Sequence, residues 1–194
     1  MFVNAFHVIG AIVIAMWIAW VFYWWYAAHN AKTAQRQEST LSRAAHTLPL
    51  AFAGWLLGAQ HVPIEALNEP IFEPHLTLEA IGAVLTALGL AFAVRARNYL
   101  GPNWSAAVTI KQDHSLVRTG PYRYVRHPIY TGLLLAVLGS AMVRNEWRGV
   151  LSLAIAAAAL WRKLRLEERW LVETFGEAYQ SYREEVRALI PFVV

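Results

Sequence analysis

Residues 5–27 contain no Lys, Arg, Asp or Glu and stay apolar for long enough to cross a bilayer, which takes about 20 residues of helix. Further apolar blocks lie at 76–94, 128–143 and 147–161, with a shorter one at 47–62 that contains Pro49, Gly54 and Gly58 and spans only if tilted or in a thinned bilayer. Only 15% of the 194 residues are charged, against about 25% in a soluble domain. The chain therefore reads as an all-α integral membrane protein with about five transmembrane helices. It forms a single membrane domain over 1–194, with helices one to three in 1–96 and a functional half in 97–194. The first six residues lack the positive region of a secretory signal, and the apolar run behind them is too long for one, so no cleavage is expected.

Charge sets the expected orientation. Of the 17 Lys and Arg residues, 15 fall in the linker after helix one, between Arg95 and Arg126, or in the tail from Arg162 onward; Arg144 and Arg148 lie on the opposite side. With five spans this places the N-terminus outside and the long polar loop and C-terminal segment on the cytoplasmic side. The net charge of +4 then reads as topology and contact with anionic membrane lipids, not as nucleic-acid binding. No obligate protein partner is inferred. The cluster Trp20, Phe22, Tyr23, Trp24, Trp25 and Tyr26 matches an interfacial aromatic belt. The tail 162–194 reads as an amphipathic helix continuing from helix five, with Leu164, Leu171, Phe175, Tyr179, Tyr182 and Val186 at helical spacing.

Function is concentrated in residues 120–130, where two prolines, three tyrosines, two arginines and His127 precede an apolar helix. The prolines exclude a regular helix, so this is a shaped loop feeding a helix start. Helices four and five are joined by a turn at 144–146, which makes their far ends neighbours and carries Tyr122, Arg126 and His127 toward Glu167 and Glu168. Lys163 and Glu167 stand one helical turn apart on one face. Each feature has a plain reading when alone: His127 as a helix cap, the two glutamates as a solvated face, the tail arginines as headgroup contacts. Convergence from two distant segments is what marks a site. With no cysteine, thiolate metal sites and a cysteine nucleophile are excluded. No metal-ligand spacing is present, and no Gly-rich nucleotide loop follows a strand.

In these residues the chain resembles the isoprenylcysteine carboxyl methyltransferase family, and looks like a small prokaryotic, archaeal orthologue. The matching pieces are His114-Ser115-Leu116-Val117, Thr119-Gly120-Pro121-Tyr122 and Arg126-His127-Pro128-Ile129-Tyr130-Thr131-Gly132. Then come Glu167-Glu168, Leu171, Phe175-Gly176, Tyr179, Tyr182 and Pro191 in order. The resemblance implies methyl transfer from S-adenosylmethionine, leaving S-adenosylhomocysteine, to the carboxylate of a lipophilic, prenylcysteine-like substrate that enters from the bilayer. It also implies a cofactor site built from His114, Ser115, Leu116, Val117, Tyr122, His127, Pro128, Ile129, Tyr130 and Glu168. Lys163 and Glu167 take the catalytic positions near the substrate, and no metal is expected. Family members commonly have arginine at the position of Lys163, so Arg162 is a competing candidate for the substrate carboxylate. Rival readings are transfer to a phospholipid amine, which needs a general base, transfer to a small thiol, and a nicotinamide-dependent membrane reductase. A non-catalytic scaffold would bind neither cofactor.

Overall fold

The computed structural model describes residues 2–29, 34–104, 107–111 and 116–191. Its helices are α1 (Phe2–Ala28), α2 (Thr40–Gly58), α3 (Glu65–Asn68), α4 (Leu76–Leu100), α5 (Pro128–Arg144), α6 (Trp147–Phe175) and α7 (Glu177–Glu185). Two short strands, β1 (Ala34–Gln37) and β2 (Thr109–Lys111), pair antiparallel as a ribbon.

Among the described residues two helices, α1 from Val8 to Ala28 and α4, are long and apolar enough to cross a bilayer. Only 6% of the α1 window is buried, and Val8, Ile12, Ile14, Ile18, Val21 and Phe22 face outward. A soluble core helix buries such side chains. Here the outward apolar surface has to be solvated by lipid, and a helix is the element that satisfies its own backbone there. The protein is an integral membrane protein.

Helices α4 and α5 pack closely, and small residues make the approach possible. A Cβ on Gly82 would stand 2.6 Å from the Gly139 carbonyl oxygen, and one on Gly89 2.5 Å from that of Gly132. The two glycine pairs are each seven residues apart on their own helix, the spacing that keeps a seam on one face. Polar groups between them are paired inside the bundle. Thr86 Oγ1 donates to the Gly82 carbonyl at 3.0 Å, Ser140 Oγ to Ala136 at 2.8 Å, and Trp17 Nε1 from α1 to Ser140 Oγ at 2.9 Å.

At the opposite end from the functional loop, α2 finishes against the start of α6. The carbonyls of Ala59, its C-cap, and of Gln60 just beyond have no intrahelical donor, and arginines supply one. Arg148, 1% exposed, donates to the carbonyls of Ala59 (2.9 Å) and Gln60 (3.1 Å) and pairs with Glu146, while Arg144 donates to Ala59 at 2.6 Å. Replacing Arg148 by Met removes a buried guanidinium and leaves Arg144 alone to serve Glu146 and both carbonyls. Arg148→Met is expected to cost about 3 kcal/mol, read as a lowered thermal midpoint in detergent, with Arg148→Lys recovering part of it. An unchanged midpoint for the Met variant would remove the clasp from the account.

The structure corrects several boundaries. Helix two starts at Thr40, capped by Ser39 accepting from the Ser42 N–H, and not at residue 47. Helix three continues past Arg95 and Arg97 to Leu100 because Arg97 is buried: it donates to the Ala27 carbonyl and lies 5.1 Å over the Trp104 ring. The β1–β2 ribbon occupies segments read as polar linker. The tail is not one helix either, since Gly176 at φ 54° ends α6 and α7 starts afresh.

Candidate active site

The loop before α5 is held by the far end of the chain. The N–H groups of Arg126 and His127 donate to the carbonyls of Arg187 (2.8 Å) and Ala188 (2.9 Å), and Thr131 Oγ1 donates to Leu189 at 2.7 Å. Pro121 lies in a short 3-10 turn and Pro128 is the first residue of α5, positions where a missing N–H costs no helical bond. Arg123 and Tyr124 stay exposed, while the residues around them turn inward. Tyr122, His127, Pro128, Ile129 and Tyr130 are all buried.

His127 stands between two carboxylates on α6. Its Nδ1 is 3.6 Å from Glu167 and its Nε2 is 3.3 Å from Glu168. The Tyr130 hydroxyl donates to Glu167 at 2.6 Å, with the Tyr130 ring stacked on the imidazole at 5.4 Å. Arg126 pairs with Glu168 at 2.6 Å, and Tyr179 reaches the same oxygen at 3.5 Å. Burial pushes His127 toward neutrality, but hydrogen bonds to Glu167 and Glu168 outweigh it and raise its pKa. Burial likewise opposes both carboxylates, yet His127 leads the partners that hold Glu167 below the usual range and Glu168 at about 2. Burial raises Tyr122 well above its ordinary value, with Glu167 adding to it, so its phenol stays protonated.

This cluster forms one wall of a cavity of about 310 Å3. Leu116, Val117, Tyr122, His127, Ile129, Tyr130, Lys163 and Glu167 all line it. Pro128 is buried beside it as the first residue of α5. Glu168 points the other way, onto the far side of Arg126, so its place is behind His127 and not at the cavity. His114 and Ser115 lie outside the described residues. Between the two cations in question, Lys163 lines the cavity, with Nζ 5.5 Å from the Tyr130 ring centre. Arg162 is spent on α2, donating to the Ser42 carbonyl at 3.0 Å and to His46 Nδ1 at 3.2 Å. The other walls are apolar: Trp20 and Trp24 of α1, Leu50 of α2, Leu133 of α5 and Leu160 of α6. Among the described residues no group of His, Cys, Asp or Glu is arranged for a metal ion.

Sequence reasoning missed the contribution of α2. Glu38 is buried just before α2 and accepts from the Val108 N–H (3.0 Å) and the Ser42 hydroxyl (2.8 Å); His46, also buried, lies 3.4 Å from it and lines the cavity. Because an arginine only donates, Arg162 fixes His46 Nδ1 as an acceptor and puts the ring proton on Nε2, facing Glu38. This chain ties the β2 segment to α6 through α2. The one available signal was a Glu and a His eight residues apart around a Ser39 cap.

The paired charges predict a stability profile. A raised His127 contributes fully below its ordinary 6.5 and loses that contribution as pH rises through its folded value. A depressed Glu168 contributes above its ordinary 4.5 and loses it as pH falls toward about 2. Thermal midpoints in detergent are expected to peak between these two ordinary values, and His127→Phe should flatten the alkaline limb. A wild-type midpoint that rises steadily from pH 6 to 9 would contradict the protonated pairing.

The fold and the site are those of a helical membrane protein that closes a cavity, charged on one wall and apolar on the others, with a proline-bounded loop and the far end of α6. The family model for phospholipid methyltransferases matches residues 78–178, and the chain belongs to this family. The isoprenylcysteine carboxyl methyltransferase resemblance read from the motifs is borne out by its relatives. Protein-S-isoprenylcysteine O-methyltransferase of Saccharomyces cerevisiae is 34% identical over 58% of this chain and 48% of its own length. The mouse (Mus musculus) enzyme of the same name is 29% identical over 86% of this chain and 59% of its own. The chain thus spans about half the length of these relatives. In fold it is similar to a eukaryotic intramembrane Ras methyltransferase, ICMT, with a TM-score of 0.57 at 23% identity, covering 79% of this chain and 52% of that one.

Proposed function

We propose that this protein transfers a methyl group from S-adenosylmethionine to the carboxylate of a lipophilic, prenylcysteine-like acceptor. The observation that carries the reading is one cavity joining a charged wall (His127, Tyr130, Lys163, Glu167) to apolar walls formed by α1, α2, α5 and α6. Such a cavity suits one polar and one lipid-like reactant. In this reading the molecule has five spans, its N-terminus is outside, the cavity opens on the cytoplasmic side, and the whole chain is one domain whose second half, from residue 97, carries the chemistry.

The donor set fits the cofactor. S-adenosylmethionine, when bound, supplies an electrophilic methyl group on a sulfonium. Glu167 offers a carboxylate to its cationic part, Tyr122 and His127 offer protons to its amino-acid end, and Leu116, Val117 and Tyr130 offer packing surface. Lys163 holds the acceptor carboxylate in line as a point charge, and the apolar walls exclude water. Proximity and orientation then supply most of the rate, since a carboxylate is already ionised at neutral pH.

The rival phospholipid amine acceptor has to lose a proton. Glu167 is poorly suited to take it, because, against the effect of burial, His127, Lys163 and the Tyr130 hydroxyl depress its basicity. Calorimetric titration of the detergent-purified protein with S-adenosylhomocysteine, beside reduced nicotinamide cofactor, tests the donor; methyl transfer to a prenylcysteine and to phosphatidylethanolamine tests the acceptor. Saturable binding of S-adenosylhomocysteine alone and a carboxyl-transfer rate flat from pH 6.5 to 8.5 are expected. Binding of the nicotinamide instead would end the proposal, and a rate climbing with pH on the amine would move the acceptor.

A further inference from the structure

A second groove, of about 560 Å3, opens on the far side of the Arg126–Glu168 pair, between α7 and the part of α6 beyond residue 161. Two helical stripes face each other across it. Trp161, Arg165 and Glu168 recur at i, i+4 and i+7 on α6, while Arg183 and Glu184 of α7 are followed by Arg187. The charge in it is not balanced. Arg126 and Glu168, each 8% exposed at the side chain, neutralise one another at 2.6 Å. Arg183 lies 3.6 Å from the second Glu168 oxygen, and among the described residues Arg165 and Arg187 make no ion pair. Three exposed guanidinium groups thus surround a cleft in which Glu184 is the exposed carboxylate.

The position of the groove says what these groups meet. Trp161 is 42% exposed where the apolar segment 147–161 stops, the depth at which an indole sits among headgroups. Arg165 follows one turn later. Guanidinium forks match phosphate oxygens, and a phosphate at this depth is most readily carried by a lipid whose chains lie beside Trp161. We propose that this groove binds the headgroup of an anionic phospholipid, with Arg165, Arg183 and Arg187 on the phosphate. The site is separate from the methyl-transfer cavity, with Arg126, His127 and Glu168 forming the partition. Its placement rests on reading 147–161 as a spanning segment.

The test uses the full chain in neutral detergent and reads lipid retention by native mass spectrometry, which requires no methyl transfer. Phosphatidylglycerol is compared with phosphatidylcholine for the wild type, for Arg165→Gln/Arg187→Gln, and for Arg95→Gln/Arg169→Gln, which loses the same charge elsewhere. Soluble glycerol phosphate is the competitor. The wild type and the Arg95/Arg169 variant are expected to favour phosphatidylglycerol about tenfold, and the Arg165/Arg187 variant to lose that preference at an unchanged thermal midpoint. Should the midpoint fall, Arg187→Gln alone is expected to show a partial loss. Equal behaviour of the two double variants, or equal retention of the two lipids, would overturn the groove as the site. Displacement by glycerol phosphate at concentrations matching the lipid would overturn the lipid and with it the spanning placement.

Discussion

Glu167→Gln is expected to lower methyl transfer about 100-fold or more while the protein purifies as a folded species. The substitution keeps size and removes only charge, so the loss measures electrostatics. The wild-type carboxylate receives the Tyr130 hydroxyl at 2.6 Å, stands 3.6 Å from His127 and is stabilised by Lys163. Glutamine can still accept from Tyr130, but it cannot balance two cations in a dry cavity. The freed Lys163 then pairs too tightly with an acceptor carboxylate or turns away from it. A factor of 100 is about 2.7 kcal/mol of transition-state stabilisation, within reach of a lost charge-assisted network. The comparison that isolates the role is Glu168→Gln. Glu168 is more buried than its neighbour (side chain 8% exposed against 22%) and faces Arg126 and Arg183 behind His127, so its loss should lower the thermal midpoint more than the turnover. Near-normal turnover in Glu167→Gln with intact cofactor affinity would remove Glu167 from the chemistry. Lys163→Arg, which installs the residue common in the family, is expected to keep activity and shift the acceptor KM.

Much of this site was legible in the sequence, for a local reason. The short turn at 144–146 forces the ends of α5 and α6 together, and that alone brings His127 to Glu167 and Glu168. Proline positions in the loop carry their own geometry, so the start of α5 at Pro128 followed from chemistry as well. What was not legible depends on partners with no fixed sequence distance. Arg97 looked like a helix stop because an unpaired arginine belongs in water, but the Ala27 carbonyl and the Trp104 face, far away in the chain, make its burial tolerable. Glu38 and His46 were invisible for the same reason, since their third member, Arg162, lies over a hundred residues away. The two glutamates at 167 and 168 have opposite placements because adjacent positions on a helix point about 100° apart; counting Glu168 with the cofactor site ignored that rotation. The tail broke at Gly176 because α7 has to turn back and bring Tyr179 and Tyr182 under the loop, where the Tyr182 hydroxyl donates to the Tyr122 carbonyl.

Gly132→Leu is expected to remove the folded protein altogether. Even a Cβ at this position would sit 2.5 Å from the Gly89 carbonyl oxygen and 2.8 Å from the Ala93 nitrogen, and both neighbours are backbone, which cannot rotate aside. The helices would have to separate. Overpacking of this kind costs about 3 kcal/mol or more, on the order of 10 °C in a chain of this size, and Leu adds three carbons beyond the Cβ. Gly132→Ala should therefore already lower the midpoint by several degrees. Gly54→Ala is the control, since a Cβ there meets nothing within 4 Å and alanine is the better helix former; it should leave the midpoint level or raise it. The effect reaches function through geometry. Gly132 lies two residues beyond Tyr130, so parting α5 from α4 at this point moves the Tyr130 hydroxyl away from Glu167 and displaces Arg97 and Trp104 at the end of α4. A Gly132→Ala protein that survives purification should consequently lose cofactor affinity along with stability. Full affinity at a lowered midpoint would mean that the α4–α5 seam holds the molecule together without setting the geometry of the cavity.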